Sequence, residues 1–158
     1  MVIQDKFLND YKDFAIQTQS KTKIPASVTL AQAALESGWG KYADGNNFFG
    51  IKGTGPAGSV LKYTKEYLNG QMVQVKQYFR KYNSPLESFI DHAEFIMNSK
   101  WLNHAMQHTD SAFNFISALQ AKPIKYATDP QYVDKIMSII KQYDLENYDN
   151  SSKQLKSF

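Results

Sequence analysis

Thr29-Leu30-Ala31-Gln32-Ala33-Ala34-Leu35-Glu36-Ser37-Gly38-Trp39-Gly40 is a run with a single charge, the carboxylate of Glu36. A helix that is apolar on every side belongs in the middle of a fold. The stretch therefore predicts a central helix, opened at Pro25 or Ser27 and stopped by Gly38 and Gly40, which carries Glu36 towards the interior. Two effects then act in one direction. Partial burial disfavours the ionised carboxylate, and the last turn of a helix sets the negative end of the backbone dipole beside it. Both predict a pKa above the ordinary carboxylate value, as a general acid requires. A surface glutamate would instead keep polar company on its own face.

Outward from this helix, Phe7, Leu8, Tyr11, Phe14, Ala15 and Thr18 recur at helical spacing between Asp5 and Ser20. From Lys41 to Ser59, glycines, asparagines and a proline dominate, which predicts a loop anchored by Phe48, Phe49 and Ile51. Between Val60 and Phe79, Asn69-Gly70 is flanked by Tyr- and Val-rich segments and reads as a two-residue hairpin turn. The turn sets the register: Leu68 faces Gln71, Tyr67 faces Met72, Glu66 faces Val73 and Thr64 faces Val75. Glu66 then shares a face with Leu68, Val73 and Val75 and points to the apolar side.

Ser84-Pro85-Leu86-Glu87 has the pattern of a capping box, opening a helix with Phe89, Ile90, Ala93, Ile96 and Met97 as its apolar stripe. Asp110 is expected to cap a further helix with Phe113, Ile116 and Leu119 inward. Asp129-Pro130 is expected to start the last one, with Val133, Ile136, Met137 and Ile140 inward. From Tyr148 the chain reads as a frayed tail. The expected fold is α+β, mainly α-helical with one β-hairpin, as a single domain over 1–147 followed by a tail over 148–158.

Composition bounds the function. With 158 residues, 42% hydrophobic and 21% charged, the chain is long enough for one well-buried core. A net charge of +3 is too small and too evenly spread for nucleic acid, yet suits approach to an anionic polymer such as a bacterial wall. Without cysteine there is no thiolate nucleophile, disulfide or cysteine-ligated metal. No run of about 18 apolar residues could span a bilayer, and Met1 to Lys6 lacks a basic then apolar leader. Export is expected to be encoded elsewhere or to occur by lysis. His104 and His108 stand four apart, but no third ligand is apparent, so neither metal nor cofactor is expected. His92 reads as a surface or partly buried helix residue.

Two carboxylates on different elements suit glycoside hydrolysis, in which one group arrives protonated and the other ionised. Five blocks, in order, sharpen this: Ala31 to Gly40, Asn46-Asn47-Phe48-Phe49-Gly50-Ile51-Lys52-Gly53, Thr64 to Gly70, Phe79-Arg80-Lys81-Tyr82 and Tyr126-Ala127-Thr128-Asp129-Pro130-Gln131-Tyr132. Together they resemble the glucosaminidases that cut bacterial peptidoglycan, family 73 of the glycoside hydrolases, over about Phe7 to Tyr148. The resemblance implies a lysozyme-like α-lobe with a hairpin lobe forming one wall of a glycan cleft. It implies Glu36 as general acid at the bond between N-acetylglucosamine and N-acetylmuramic acid, Glu66 as the hairpin carboxylate, and Tyr126 as the tyrosine of the reacting subsite.

Glu66 is left with three roles: base for water at a separation of roughly 6.5 to 9.5 Å, nucleophile at about 5 to 5.5 Å, or helper to attack by the substrate's own acetamido oxygen. Trp39, Asn47, Phe48, Phe49 and Tyr132 are the substrate-binding candidates, with Trp39 expected beneath Glu36 and Phe48 or Phe49 nearer the sugar. Asp129 is expected to cap a helix rather than to act chemically. The expected partner is a peptidoglycan strand, with no nucleic acid and no membrane, acted on by a monomer at an extracellular, wall or periplasmic location. Cleavage as a muramidase or lytic transglycosylase, and a non-catalytic wall-binding module, are the alternatives.

Overall fold

The structure, a computed structural model, describes residues 2–149. Among the described residues five α-helices, α1 (Ile3–Thr22), α2 (Ala26–Ser37), α3 (Pro85–Asn98), α4 (Ala112–Leu119) and α5 (Tyr132–Gln142), accompany one antiparallel pair, β1 (Gly58–Leu68) and β2 (Gln71–Lys81). The central place of α2 follows from its composition. Ten of its twelve residues are buried, and its small side chains Ala26, Ala31, Ala33 and Ala34 let α1, α4 and α5 pack against it.

Both ends of α2 are closed. Gly38 adopts φ 60° and donates to the Ala34 carbonyl, while Trp39 N–H reaches the same oxygen at 2.8 Å. A Cβ at Gly38 would meet the Tyr42 ring at 2.9 Å, so glycine is required there twice over. At the other end Pro25 offers no side-chain cap. The carboxylate of Asp149 supplies one, accepting from Ser27 N at 2.8 Å and from the Ser27 hydroxyl at 2.6 Å. Tyr148 also packs against the core. These two residues of the expected tail are thus tied to the domain, and 150–158 lie outside the described residues.

The loop anchors Phe48, Phe49 and Ile51 are buried. Phe48 enters an aromatic cluster with Phe7, Tyr11 and Phe89, which joins α1 to α3. Asn47 staples the loop to the ribbon, its side-chain amide donating to the Ile51 carbonyl at 2.9 Å and the Arg80 carbonyl at 3.1 Å. The expected register is observed, with Glu66 opposite Val73 and Thr64 opposite Val75. The base of the ribbon is held by Asp91 of α3, which accepts from Arg80 Nη1 at 2.7 Å and from the Tyr82 hydroxyl at 2.5 Å.

Ser84 caps α3 as expected, and Glu87 reaches back to Asn83 N at 2.7 Å. Two other caps differ from expectation. Ser111, not Asp110, caps α4, because its hydroxyl accepts from Asn114 N while Asp110 takes the Asn114 side chain. Asp129 precedes α5 in a turn, accepting from Gln131 N at 2.9 Å. Phe113 and Met97, expected inward, are exposed. The buried stripe of α3 instead runs Phe89, His92, Ala93, Ile96, so His92 is a core residue rather than a surface one.

Candidate active site

A cleft of about 700 Å³ opens where the end of α2 meets the Phe49–Lys52 loop, the face of α3 bearing His92 and Phe95, and the Tyr126–Asp129 segment leading into α5. Its volume falls within the range of small-ligand sites. Glu36 and Leu35, the exposed residues of the otherwise buried α2, form one wall. The helix is interior as expected, and its last turn surfaces at the cleft, so that Glu36 itself is exposed there while the helix behind it is buried. The surrounding walls still exclude enough water to raise the Glu36 pKa above the usual carboxylate range, and desolvation is the cause.

Facing this acid is a chain of buried polar groups. Gln32, one turn before Glu36 on α2, donates from Nε2 to the Tyr132 hydroxyl at 3.1 Å. The Tyr132 ring lies 5.7 Å from that of Tyr126, and the Tyr126 hydroxyl meets His92 Nε2 at 2.8 Å. Burial first, then the neighbouring Tyr132 phenol and the nearby Glu36, raise Tyr126 well above its ordinary value, so it stays a phenol. Tyr132 is raised for similar reasons. Burial pushes His92 down to about 3, only partly opposed by Asp91, and its neutral ring stacks on Phe49 at 3.8 Å and 9°. The Gln32 Oε1 atom has no hydrogen-bond partner among the described residues. This network builds its part of the wall from neutral groups.

Glu36, Tyr126, Phe49 and Tyr132 are thus brought together on the cleft wall. The other named residues are not. Trp39 turns away in a left-handed conformation, φ 60°, and packs edge-on against Phe7 and Tyr143. Phe48 is core and Asn47 is a loop staple. Glu66 lies on the half-buried inner face of the ribbon, outside the cleft wall, with its Oε1 3.7 Å from Nζ of Lys52. Lys52 itself lines the cleft and links the two. Asp129 is also on the wall, and Lys135 and the Gln131 amide hold its pKa below the usual carboxylate range. Away from the cleft, His104 Nε2 bonds the Ala118 carbonyl at 2.7 Å, a structural use of that ring.

His92, Gln32 and Lys52 were missed as site residues in the sequence. His92 left a signal, since it falls three residues after Phe89 on the stripe of α3, where a polar residue needs a buried partner. Gln32 left one too, being the polar residue one turn before Glu36 in an apolar helix. Lys52 left none, because its place depends on how the loop folds against the ribbon.

Residues 12–145 match the model of a family described as mannosyl-glycoprotein endo-beta-N-acetylglucosaminidase. The exo-glucosaminidase LytG of Bacillus subtilis is 36% identical over 159 residues, covering 98% of this chain and 56% of its own length. The peptidoglycan hydrolase FlgJ of Vibrio cholerae is 36% identical over 149 residues, covering 89% of this chain and 44% of its own. The chain therefore spans about half the length of these curated relatives. Among solved structures, the catalytic domain of the autolysin Auto from Listeria monocytogenes superposes with TM-score 0.84 at 32% identity, covering 94% of this chain and 89% of that one. The glycoside hydrolase domain of Salmonella typhimurium FlgJ, truncated at its C-terminus, superposes with TM-score 0.71 at 34% identity, covering 89% and 97%. The lysozyme-like arrangement of helical lobe and hairpin is shared with these neighbours.

Proposed function

The chain belongs to the glucosaminidase family of glycoside hydrolases, and from that premise we propose that it hydrolyses peptidoglycan at the β-1,4 bond between N-acetylglucosamine and N-acetylmuramic acid, with Glu36 as general acid. The observation that carries the reading is Glu36 itself. It is a carboxyl whose pKa is raised by desolvation, accessible in a cleft of glycan-subsite size and set against two neutral phenols.

In this mechanism the Glu36 proton passes to the glycosidic oxygen as the C1–O bond breaks, and the ring left behind gains oxocarbenium character. Tyr126 sits at that ring, and its electron-rich face and oxygen favour positive charge. Glu66 lies outside the cleft wall, which favours attack on C1 by the substrate's acetamido oxygen over direct attack by Glu66. Water then opens the cyclised intermediate, returning the proton to Glu36, so that one water is added across the bond. Movement of the ribbon towards α2 would bring Glu66 to stabilise charge or activate that water. Phe49, stacked on neutral His92, offers a fixed apolar wall to the sugar.

On this reading the protein works at a bacterial wall, extracellularly or in the periplasm, and we propose that it does so as a monomer. Mass spectrometry of borohydride-reduced digestion products tests the bond. New reducing N-acetylglucosamine ends are expected. Reducing N-acetylmuramic acid ends would establish a muramidase instead, anhydro ends that resist reduction a transglycosylase, and binding without soluble products a wall-binding module. Product length separates internal from terminal cutting.

A further inference from the structure

We propose that the outward face of the β1–β2 ribbon is a second glycan-binding surface, which grips a peptidoglycan strand other than the one in the cleft. The inference rests on the reading that peptidoglycan is the substrate.

Alternation along a strand gives the ribbon two faces, and here they differ in chemistry. The inward face carries Val60, Thr64, Glu66, Val73, Val75 and Phe79, all half-buried. The outward face carries Leu61, Tyr63 and Tyr67 on β1 and Met72 and Tyr78 on β2, with exposures of 42, 58, 72, 57 and 55%. Leu61 pairs with Tyr78 and Tyr67 with Met72, and between these pairs the same face carries Tyr63 opposite Lys76 and Lys65 opposite Gln74, so aromatic and basic side chains alternate along one row. From Leu61 to Tyr67 the row is about 20 Å long at the ordinary rise per residue. A two-stranded ribbon has little stability to spare, and a solvated face of this kind normally holds polar side chains. A large exposed aromatic patch marks a binding surface.

Charge identifies the occupant. Lys65 and Lys76 stand among these aromatic residues on the same face, and neither has an acidic partner among the described residues. The ribbon's one carboxylate, Glu66, points the other way. None of the three tyrosines contacts another aromatic ring among the described residues. Flat, stiff phenol rings cover the apolar faces of pyranose rings at small entropic cost, and the lysines pair with carboxylates along the strand and its peptide stems. A neutral polysaccharide would leave the lysines unused, and an acidic protein surface would leave three open ring faces unused. A carboxylate-bearing glycan uses both.

The test separates this surface from the cleft. In the Glu36→Gln background, which holds strands without cutting them, binding to purified sacculi stripped of phosphate polymers is measured by co-sedimentation. Tyr63→Ser/Tyr67→Ser/Tyr78→Ser and, separately, Lys65→Glu/Lys76→Glu are each expected to weaken binding roughly tenfold, about 1.4 kcal/mol. The charge-reversed pair is also expected to lose the salt dependence of binding. With Glu36 intact, both variants are expected to cut short soluble glycans within about twofold of the parent while clearing whole sacculi more slowly. Unchanged sedimentation in both variants would overturn the proposal, as would binding that appears only on walls retaining phosphate polymers. Loss of soluble-glycan turnover in parallel with binding would also overturn it, placing the effect in the cleft. Failure of the parent to cut any glycan would refute the hydrolase reading, while the sedimentation experiment would still read the surface.

Discussion

Helix α2 and the β1–β2 ribbon each carry one carboxylate of the proposed mechanism, and they hold it in opposite ways. Glu36 ends a helix buried on ten of twelve residues, closed by Asp149 at one end and Gly38 at the other. Glu66 sits on a ribbon in which every residue of both strands is at least partly exposed and whose anchors, Asn47, Arg80 and Tyr82, lie at its base. Position is therefore set by packing for the first and by a few hydrogen bonds at a distance for the second. A proton donor must be fixed relative to the bond it breaks. A partner on a ribbon can yield to let a polymer enter and then return.

The sharpest test of this contrast is Glu36→Gln, expected to lower turnover by ~10²–10⁴-fold with native circular dichroism. Glu66→Gln is expected to cost clearly less, and equal losses would show that the ribbon fixes its carboxylate as firmly as α2 does. The pH profile follows from the sign of the shift. Glu36 is active when protonated and its pKa is raised, so turnover should fall as pH rises through that raised value, and the falling limb should vanish from the residual activity of Glu36→Gln.

Next in size is packing. Ala33→Leu in the centre of α2 is expected to destabilise the fold by about 1–3 kcal/mol through overpacking, measured by urea denaturation. A matching enlargement on the ribbon, Ser59→Leu at an exposed site, should change stability by less than about 0.5 kcal/mol. Comparable values would mean that the ribbon is packed as tightly as the core.

His92 sharpens the comparison on the helical side. Its folded-state pKa of about 3 lies below the ordinary histidine value of 6.5, so between these values the unfolded chain binds a proton that the folded chain refuses. Stability is then lost as pH falls from about 6.5 towards 3. His92→Gln should flatten that acid limb, and denaturation midpoints at pH 7 and 4.5 check it. The smallest effect belongs to the ribbon. The Thr64 hydroxyl has no partner among the described residues, so Thr64→Val is expected to be neutral or stabilising by up to about 1 kcal/mol. A loss larger than that would point to a bond made to water or substrate.

Local patterns carried much of this architecture. The uniformly apolar run placed α2 at the centre, Gly38 stopped it next to Glu36, and Asn69-Gly70 set a register that put Glu66 opposite Val73. Each of these depends on neighbours within a few residues. Misreadings occurred where a choice between near-equivalent groups was made by distant packing. Ser111 outcompetes Asp110 as a cap, and His92 takes the place on the buried stripe that Met97 was expected to share. Trp39, next to the acid in sequence, is turned from the cleft by its left-handed backbone. Asp149 was read as part of a frayed tail because its partner, Ser27, lies 122 residues away.

By itself the sequence determined the helix that carries Glu36, the glycine that stops it and the face of the ribbon that bears Glu66, since periodicity, helix stops and turn chemistry act over a few residues. Tertiary structure alone decided that Glu36 opens onto a cleft instead of into the core, that Gln32, Tyr132, Tyr126 and His92 meet in one neutral chain, and that Glu66 stands off beside Lys52. Those outcomes depend on desolvation and on hydrogen bonds between elements up to 100 residues apart, and such terms come into existence only when the helices close around α2.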